Sequence, residues 1–505
     1  MTKNLHIDTQ AMRAKILDLA IQGKLTDQRA EDGNAQDLLK EIQAEKEKLI
    51  KEKKIKKEKH LPEITEEEKP FEIPDRWEWV RLGDIVSKAI KRGKSPKYST
   101  TGDVLVFAQK CNTKPGRINL ELAKKLDLST LKKYSEEEFM LSGDIVINST
   151  GNGTMGRVGF FRDKDNPYNL KIVPDSHVTT IRVLHDLIDS QYIFYFLKKL
   201  QPKLESSGDG STNQKELKAI IVASICIPLP PLAEQNRIVA KVSALFAQLD
   251  AIDKAYGEYQ ELQQAMKSKL LDLAIQGKLT DQRAEDGNAQ DLLKEIQAEK
   301  EKLIKEKKIK KEKPLPAITE EEKPFEIPKN WEWVRLGDLG APIQYPFADG
   351  PFGSNLKKEH YTTNREVRII QLSNIGENGW RDENVKYTTF EHLKLISRSE
   401  VDPGDIVIAK MMPAGRAIIV PDKDPKYVLS SDAVKFVPNK HLYLPFVINC
   451  INSPVFQNQV TANVQGTTRK RTSLSKLKNC LLPIPPLAEQ KRIVSKLDKL
   501  LSLEI

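Results

Sequence analysis

The feature that most constrains this chain of 505 residues is a duplication. Residues 17–84 recur at 271–338, an offset of 254, with 64 of 68 positions identical; the exceptions fall at 60, 63, 75 and 76. Weaker matching reaches back to Ala11 and Met12, which face Ala265 and Met266. A second repeat pairs 228–241 (PLPPLAEQNRIVAK) with 483–496 (PIPPLAEQKRIVSK) at an offset of 255. Between these copies lie two segments, 85–227 and 339–482. They share little beyond GDIVI (143–147 and 404–408) and a following Gly-Arg (156–157 and 415–416). The order is frame, variable module, frame, variable module. The offsets put Met1 opposite Ala255 and Ile505 opposite Asp250, so the central connector is matched by the C-terminus followed by the N-terminus. The expectation is a pseudo-twofold, circularly closed arrangement.

The connector reads as helix. Ile238, Val242, Leu245, Leu249, Ile252, Tyr256, Tyr259, Met266, Leu270 and Leu273 follow steps of three and four, with Gln263 the polar break. That spacing predicts a coiled-coil seam roughly 54 Å long, in which Val242, Leu245, Leu249, Ile252, Tyr259 and Met266 pack against a partner helix. Gly277 offers a stop, and Asp291 could cap a second helix running to Lys313. The lysine-rich run at 51–59 is balanced by nearby glutamates and reads as a solvated helix face rather than a nucleic-acid tail. The modules read as mixed α/β. Strands are expected at 104–108, 144–148, 178–183, 367–372, 405–409 and 433–437, helices at 190–200 and 442–449, and a core strand at 220–227 that stops at Pro228.

Charge separates along the same boundaries. The net charge is +10, but residues 85–227 hold 22 Lys and Arg against 15 Asp and Glu, and residues 339–482 hold 19 against 13. The basic excess therefore sits in the two modules, as expected of paired surfaces that face a polyanion. No apolar run approaches the 18 residues of a membrane span, and residues 1–10 lack the apolar core of an export signal; a cytoplasmic chain is the expectation. Cys111, Cys226, Cys450 and Cys480 stand apart, without the spacing of a zinc site or a disulfide framework.

Catalytic motifs do not emerge. Gly151, Gly153 and Gly156 form GxGxxG, but residues 157–169 lack helical periodicity, so a turn between strands is the better reading than a dinucleotide loop. Gly93-Lys94-Ser95 has Lys88 where a phosphate-binding loop needs its first glycine. Polar loops are better placed. Module one offers Lys91, Arg92, Lys94, Lys110, Asn112, Lys114, Asn152, Thr154, Arg157, Thr212, Asn213, Gln214 and Lys215. Module two offers Asn355, Lys357, Lys358, Gln371, Asn374, Lys410, Arg416, Thr468, Arg469, Lys470 and Arg471. Arg, Lys, Asn and Gln can bond base edges, and hydroxyls can hold phosphates. Arg157 and Arg416 fit equally a role as braces of a turn. On these grounds, sequence-specific DNA binding stands beside a tandem-module coiled-coil scaffold and a stand-alone nuclease or methyltransferase.

PLAEQxRIV (231–239 and 486–494), AIQGKL (20–25 and 274–279) and IPxxWEWVRLGD (73–84 and 327–338) together resemble the specificity subunits of type I restriction–modification systems. The resemblance covers nearly the whole chain. It implies an α/β architecture with two mixed target-recognition domains (71–227 and 325–482) separated by long antiparallel coiled-coil helices. The helical frame would then occupy 1–70, 228–324 and 483–505. It implies a non-catalytic subunit that reads a split asymmetric site on double-stranded DNA, one half per domain. It further implies two methyltransferase and two restriction subunits as partners, which bring S-adenosylmethionine, ATP and magnesium, with no cofactor in this chain. One departure is the short C-terminal frame.

Overall fold

A computed structural model describes residues 7–56, 61–114, 116–151, 153–207, 216–462 and 471–502. The chain divides into two compact units, Lys3–Tyr256 and Gly257–Ile505. A 44-residue helix, Leu232–Ile275, begins in the first and ends in the second. No helix among the described residues is long and apolar enough to cross a membrane.

Each unit contains the same frame, and the repeated motifs account for it. Helix Thr9–Ile21 starts at Asp8, whose carboxylate accepts from the Ala11 N–H. It ends at Gly23, φ +67°, where the N–H groups of Gly23 and Lys24 return to the carbonyls of Ala20 and Leu19. A left-handed glycine makes this reversal possible, so AIQGKL encodes a helix stop. Gly277, φ +69°, repeats it on Ala274 and Leu273. A Cβ at either glycine would lie 2.4 Å from the ring of Pro74 or Pro328, which seats the stop against IPxxWEWVRLGD. Strand Glu78–Arg81 then pairs antiparallel with Cys226–Leu229, as Glu332–Arg335 does with Leu481–Ile484. Leu17, Ala20, Trp77, Leu82, Ile238 and Val242 share one apolar cluster; Ala274, Ile275, Trp331, Leu336, Ile493 and Val494 share its counterpart.

Within the first unit, Thr9–Ile21 runs antiparallel to the start of the long helix. Thr9 Oγ1 donates to Asp253 at 2.7 Å, and Arg13 reaches Asp250 at 2.8 Å and Asp253 at 3.0 Å. Nearby, Arg81 is 5% exposed and forks onto Glu68 at 2.8 and 2.9 Å. Those bonds hold the Glu68 carboxyl at about 2, well below its ordinary 4.5. A depressed acid stabilises the fold above its unfolded value and loses that contribution as pH falls toward the folded one. Urea midpoints should therefore drop between about pH 4.5 and 2, and Glu68→Gln should flatten that part of the profile. An unchanged profile would show that the pair does not couple to folding.

The modules share so little sequence, yet they share one topology. In module one an antiparallel sheet has the order Lys91–Arg92, Val178–Ile181, Ile145–Asn148, Val158–Phe160. A second sheet has the order Tyr98–Ser99, Lys124–Leu126, Val104–Phe107, Lys171–Pro174, with the last pair parallel. Module two repeats the first sheet as Phe347–Asp349, Ala433–Phe436, Ile406–Ala409, Ala417–Ile419. It repeats the second as Tyr361–Thr362, Tyr387–Thr388, Val367–Ile370, Lys426–Leu429, and adds Glu400–Val401 at the edge. The shared GDIVI supplies the central strand of the antiparallel sheet in both, buried along its length.

Three expectations need correction. Residues 220–227 are not one strand: a short helix, Ala219–Ala223, precedes strand Cys226–Leu229, which runs through Pro228. The proline is tolerated because its backbone faces away from the paired strand, its carbonyl accepting from Tyr192 Oη at 2.6 Å. The second frame helix is Ala289–Lys305, capped by Asn288 rather than Asp291, and it ends well before Lys313, with Lys307 at φ +57° beyond it. The seam is buried only in its first half, and Leu270 and Leu273 at its far end are half-buried. Val242 and Leu249 are 0% and 4% exposed and Leu245 is half-buried, whereas Ile252, Tyr259 and Met266 are 37%, 43% and 43% exposed.

Candidate nucleic-acid interface

The repeated motifs concentrate charge, but they direct it inward. Glu234, 1% exposed, accepts from Trp77 Nε1 at 2.8 Å, Gln28 Nε2 at 2.6 Å and Thr26 Oγ1 at 3.1 Å. Burial pushes its carboxyl up, and these donors oppose the push. Gln235 donates to the Pro230 carbonyl and accepts from the Asp189 N–H, both at 2.9 Å, while Arg237 forks onto Asp32. Glu489, Gln490 and Arg492 repeat the set with Trp331, Pro485 and Asp286. PLAEQxRIV is a clasp that ties helix, strand and module together. Its groups are committed inside the fold.

The exposed polar groups gather elsewhere, at one end of each module's two sheets. In module one, strand Lys171–Pro174 turns through Asp175, Ser176 and His177 into Val178–Ile181. Asn148, at the end of the central strand, donates to the carbonyl of Gln109, just past Val104–Phe107. Arg92 ends the edge strand beside Val178–Ile181 and pairs with Glu216 at 3.1 Å; Thr150 Oγ1 meets His177 Nδ1 at 2.6 Å. At the same end of module two, Lys410 pairs with Asp349 at 2.6 Å and Arg471 with Asp432 at 2.5 Å. A cleft of about 320 Å³ opens beside them, lined in part by Tyr361, Gln371, Ser373, Ser430 and Asp432. Gly93 and Gly350 let the first strand lie flush here, since a Cβ would fall 2.0 Å from the Pro174 carbonyl oxygen or 1.7 Å from that of Ser430.

Many residues expected to contact DNA lie at this end. Lys91 reaches Glu137 at 3.4 Å, Lys94 pairs with Glu138 at 2.7 Å over the Tyr134 ring, and Lys110 and Lys114 are exposed. Behind them Lys88 is buried, which pushes its ammonium down to about 8. Asn355, Lys357 and Lys358 are exposed on the loop beyond Gly350. Gln371 is tied to the Asn384 carbonyl and to Lys386.

Asn112 and Asn374 depart from expectation: both are 0% exposed. Asn112 donates to the Arg157 carbonyl and Asn374 to those of Arg381 and Glu383, so each secures a loop from inside. Arg157 braces the same turn through the carbonyls of Asn112 and Gly153, and Thr154 bonds Gln109. Arg416 is half-buried at the corresponding place. Gly151, Gly153 and Gly156 of the GxGxxG lie between strands Ile145–Asn148 and Val158–Phe160. Asn152, Thr212, Asn213, Gln214, Lys215, Thr468, Arg469 and Lys470 lie outside the described residues. His177, Glu216, Asp349 and Asp432 were not expected here. Acidic residues in basic modules carry no signal until strand register places them beside a cation.

Known proteins resemble the chain along nearly its whole length. The family model for the type I restriction modification DNA specificity domain matches residues 74–264 and again 328–505. The chain is 31% identical to the type I restriction enzyme EcoAI specificity subunit of Escherichia coli, across 97% of this chain and 88% of that protein. It is 28% identical to the EcoEI specificity subunit of Escherichia coli, across 96% and 88%. A solved chain of a type I R-M system has a TM-score of 0.54 at 18% identity, covering 86% of this chain and 92% of that one, a likeness of fold. Two matched copies of the domain and whole-length relatives carry one conclusion: the chain belongs to the family of type I restriction–modification DNA specificity subunits, the sequence-recognition members of those systems.

Proposed function

We propose that the chain reads a split asymmetric DNA site, with the domain at 71–227 reading one half and the domain at 325–482 the other. The frame at 1–70, 228–324 and 483–505 holds the readers and offers the docking surfaces for two methyltransferase and two restriction subunits. The observation that carries this reading is the pairing of one module topology with two different sets of polar side chains at the same sheet ends. The exposed members of those sets, Lys91, Arg92, Lys94, Lys110, Lys114, Lys357, Lys358 and Arg471, together with the half-buried Lys410, are the proposed DNA contacts. Catalysis belongs to the partners, which bring S-adenosylmethionine, ATP and magnesium. Methylation of a base within duplex DNA requires it to be flipped into such a partner's pocket.

Methylated adenines should be mapped in a host that carries the chain with its methyltransferase subunits. A single bipartite, non-palindromic motif is expected, and binding to that duplex should weaken steeply with salt. A continuous motif, or a soluble assembly that marks nothing, would contradict the reading.

A further inference from the structure

Strand register aligns the modules position by position at the proposed reading end. Ser149 and Lys410 correspond, because their N–H groups bond the carbonyls of His177 and Asp432, each at 2.8 Å. Arg92 and Asp349 correspond, being paired with Thr179 and Val434 on the adjacent strand. Glu216 and Arg471 correspond, bridging to Thr150 and Met411. The backbone is thus held constant while the charge is inverted. Arg92 stands where the other module has an acid, and Glu216 where it has Arg471.

In both modules an arginine at this end is held by a carboxylate: Arg92 by Glu216 and Arg471 by Asp432. These arginines are 38% and 46% exposed, so their pairs add little to folding, and the guanidinium keeps a face open to solvent. A carboxylate beside a phosphate contact would be repelled by it, whereas beside a base edge it fixes the fork. We propose that Arg92 and Arg471 are base-reading residues, each presenting its planar fork to a guanine in the major groove, and that Glu216 and Asp432 position them. The two modules present the fork from different positions of one scaffold, which gives the half-sites different sequences. This assignment rests on the chain reading a split site.

The test is methylation mapping with the complete assembly, comparing wild type with Arg92→Ala, Arg92→Lys, Arg471→Ala and Arg471→Lys. Each Ala and Lys variant should relax one G·C position by roughly ten- to a hundredfold, in module one's half-site for Arg92 and in module two's for Arg471. Glu216→Ala should relax the same position as Arg92→Ala, and Glu216→Gln, which still accepts a hydrogen bond, should restore it. A lower rate with every motif letter intact would assign the arginines to phosphate and overturn the proposal, as would half-sites without guanine. If an Ala variant fails to assemble, the Lys variant decides by the same criterion. A wild-type chain with no split motif would instead sink the underlying reading.

Discussion

Glu489→Ala should destabilise the second unit by about 3 kcal/mol. The residue is 0% exposed and accepts from Trp331 Nε1 at 2.9 Å, Gln282 at 2.7 Å and Thr280 at 3.3 Å. Alanine leaves the indole N–H without its acceptor in a dry site, and an orphaned buried donor costs roughly 1–3 kcal/mol. Two or three such donors, discounted for relaxation, sum to that loss. For a unit of this size the melting temperature should fall by on the order of 10 °C. Glu489→Gln keeps the shape and one acceptor and should lose distinctly less. Thermal unfolding of the purified chain checks both, and wild-type melting in Glu489→Ala would show that the clasp does not hold the unit together.

Leu249→Asp should be as damaging, at about 4 kcal/mol, because it places a carboxylate at a position only 4% exposed. Asp250 and Asp253 flank it and already engage Arg13, so the new charge gains no free cation from that residue. Ile252→Asp, three residues on but 37% exposed, should stay within about 0.5 kcal/mol. Periodicity alone places both residues in one seam; urea titration of the two variants separates them. Equal losses would restore the continuous seam.

That contrast marks what is legible in the chain and what is not. A repeated frame with helix stops at Gly23 and Gly277 and apolar helical steps is visible in residue types, because caps and periods are local. Burial at Ile252 depends on what lies opposite, and no local pattern records it. The modules' common topology is hidden for a related reason. A buried strand needs only an apolar run, so two modules can keep one sheet order while sharing little beyond GDIVI. Residues 220–227 show the converse ambiguity, since a short apolar run suits a helical turn as well as a strand. At the interface, basic and amide residues are selectable by type. Asn112 and Asn374 mislead because an asparagine that bonds local backbone looks, in sequence, like one that faces a ligand. Glu216 and Asp432 escape notice because their meaning lies in the arginine across the strand.

The central claim is that two independent readers sit on one repeated frame, and exchanging a module tests it most directly. Residues 85–227 would be replaced by the corresponding module of a relative, and methylated sites mapped in a host carrying the whole system. The account predicts that one half of the motif changes while the other half and the gap between them stay as they were. A change in both halves, or in the gap, would contradict it.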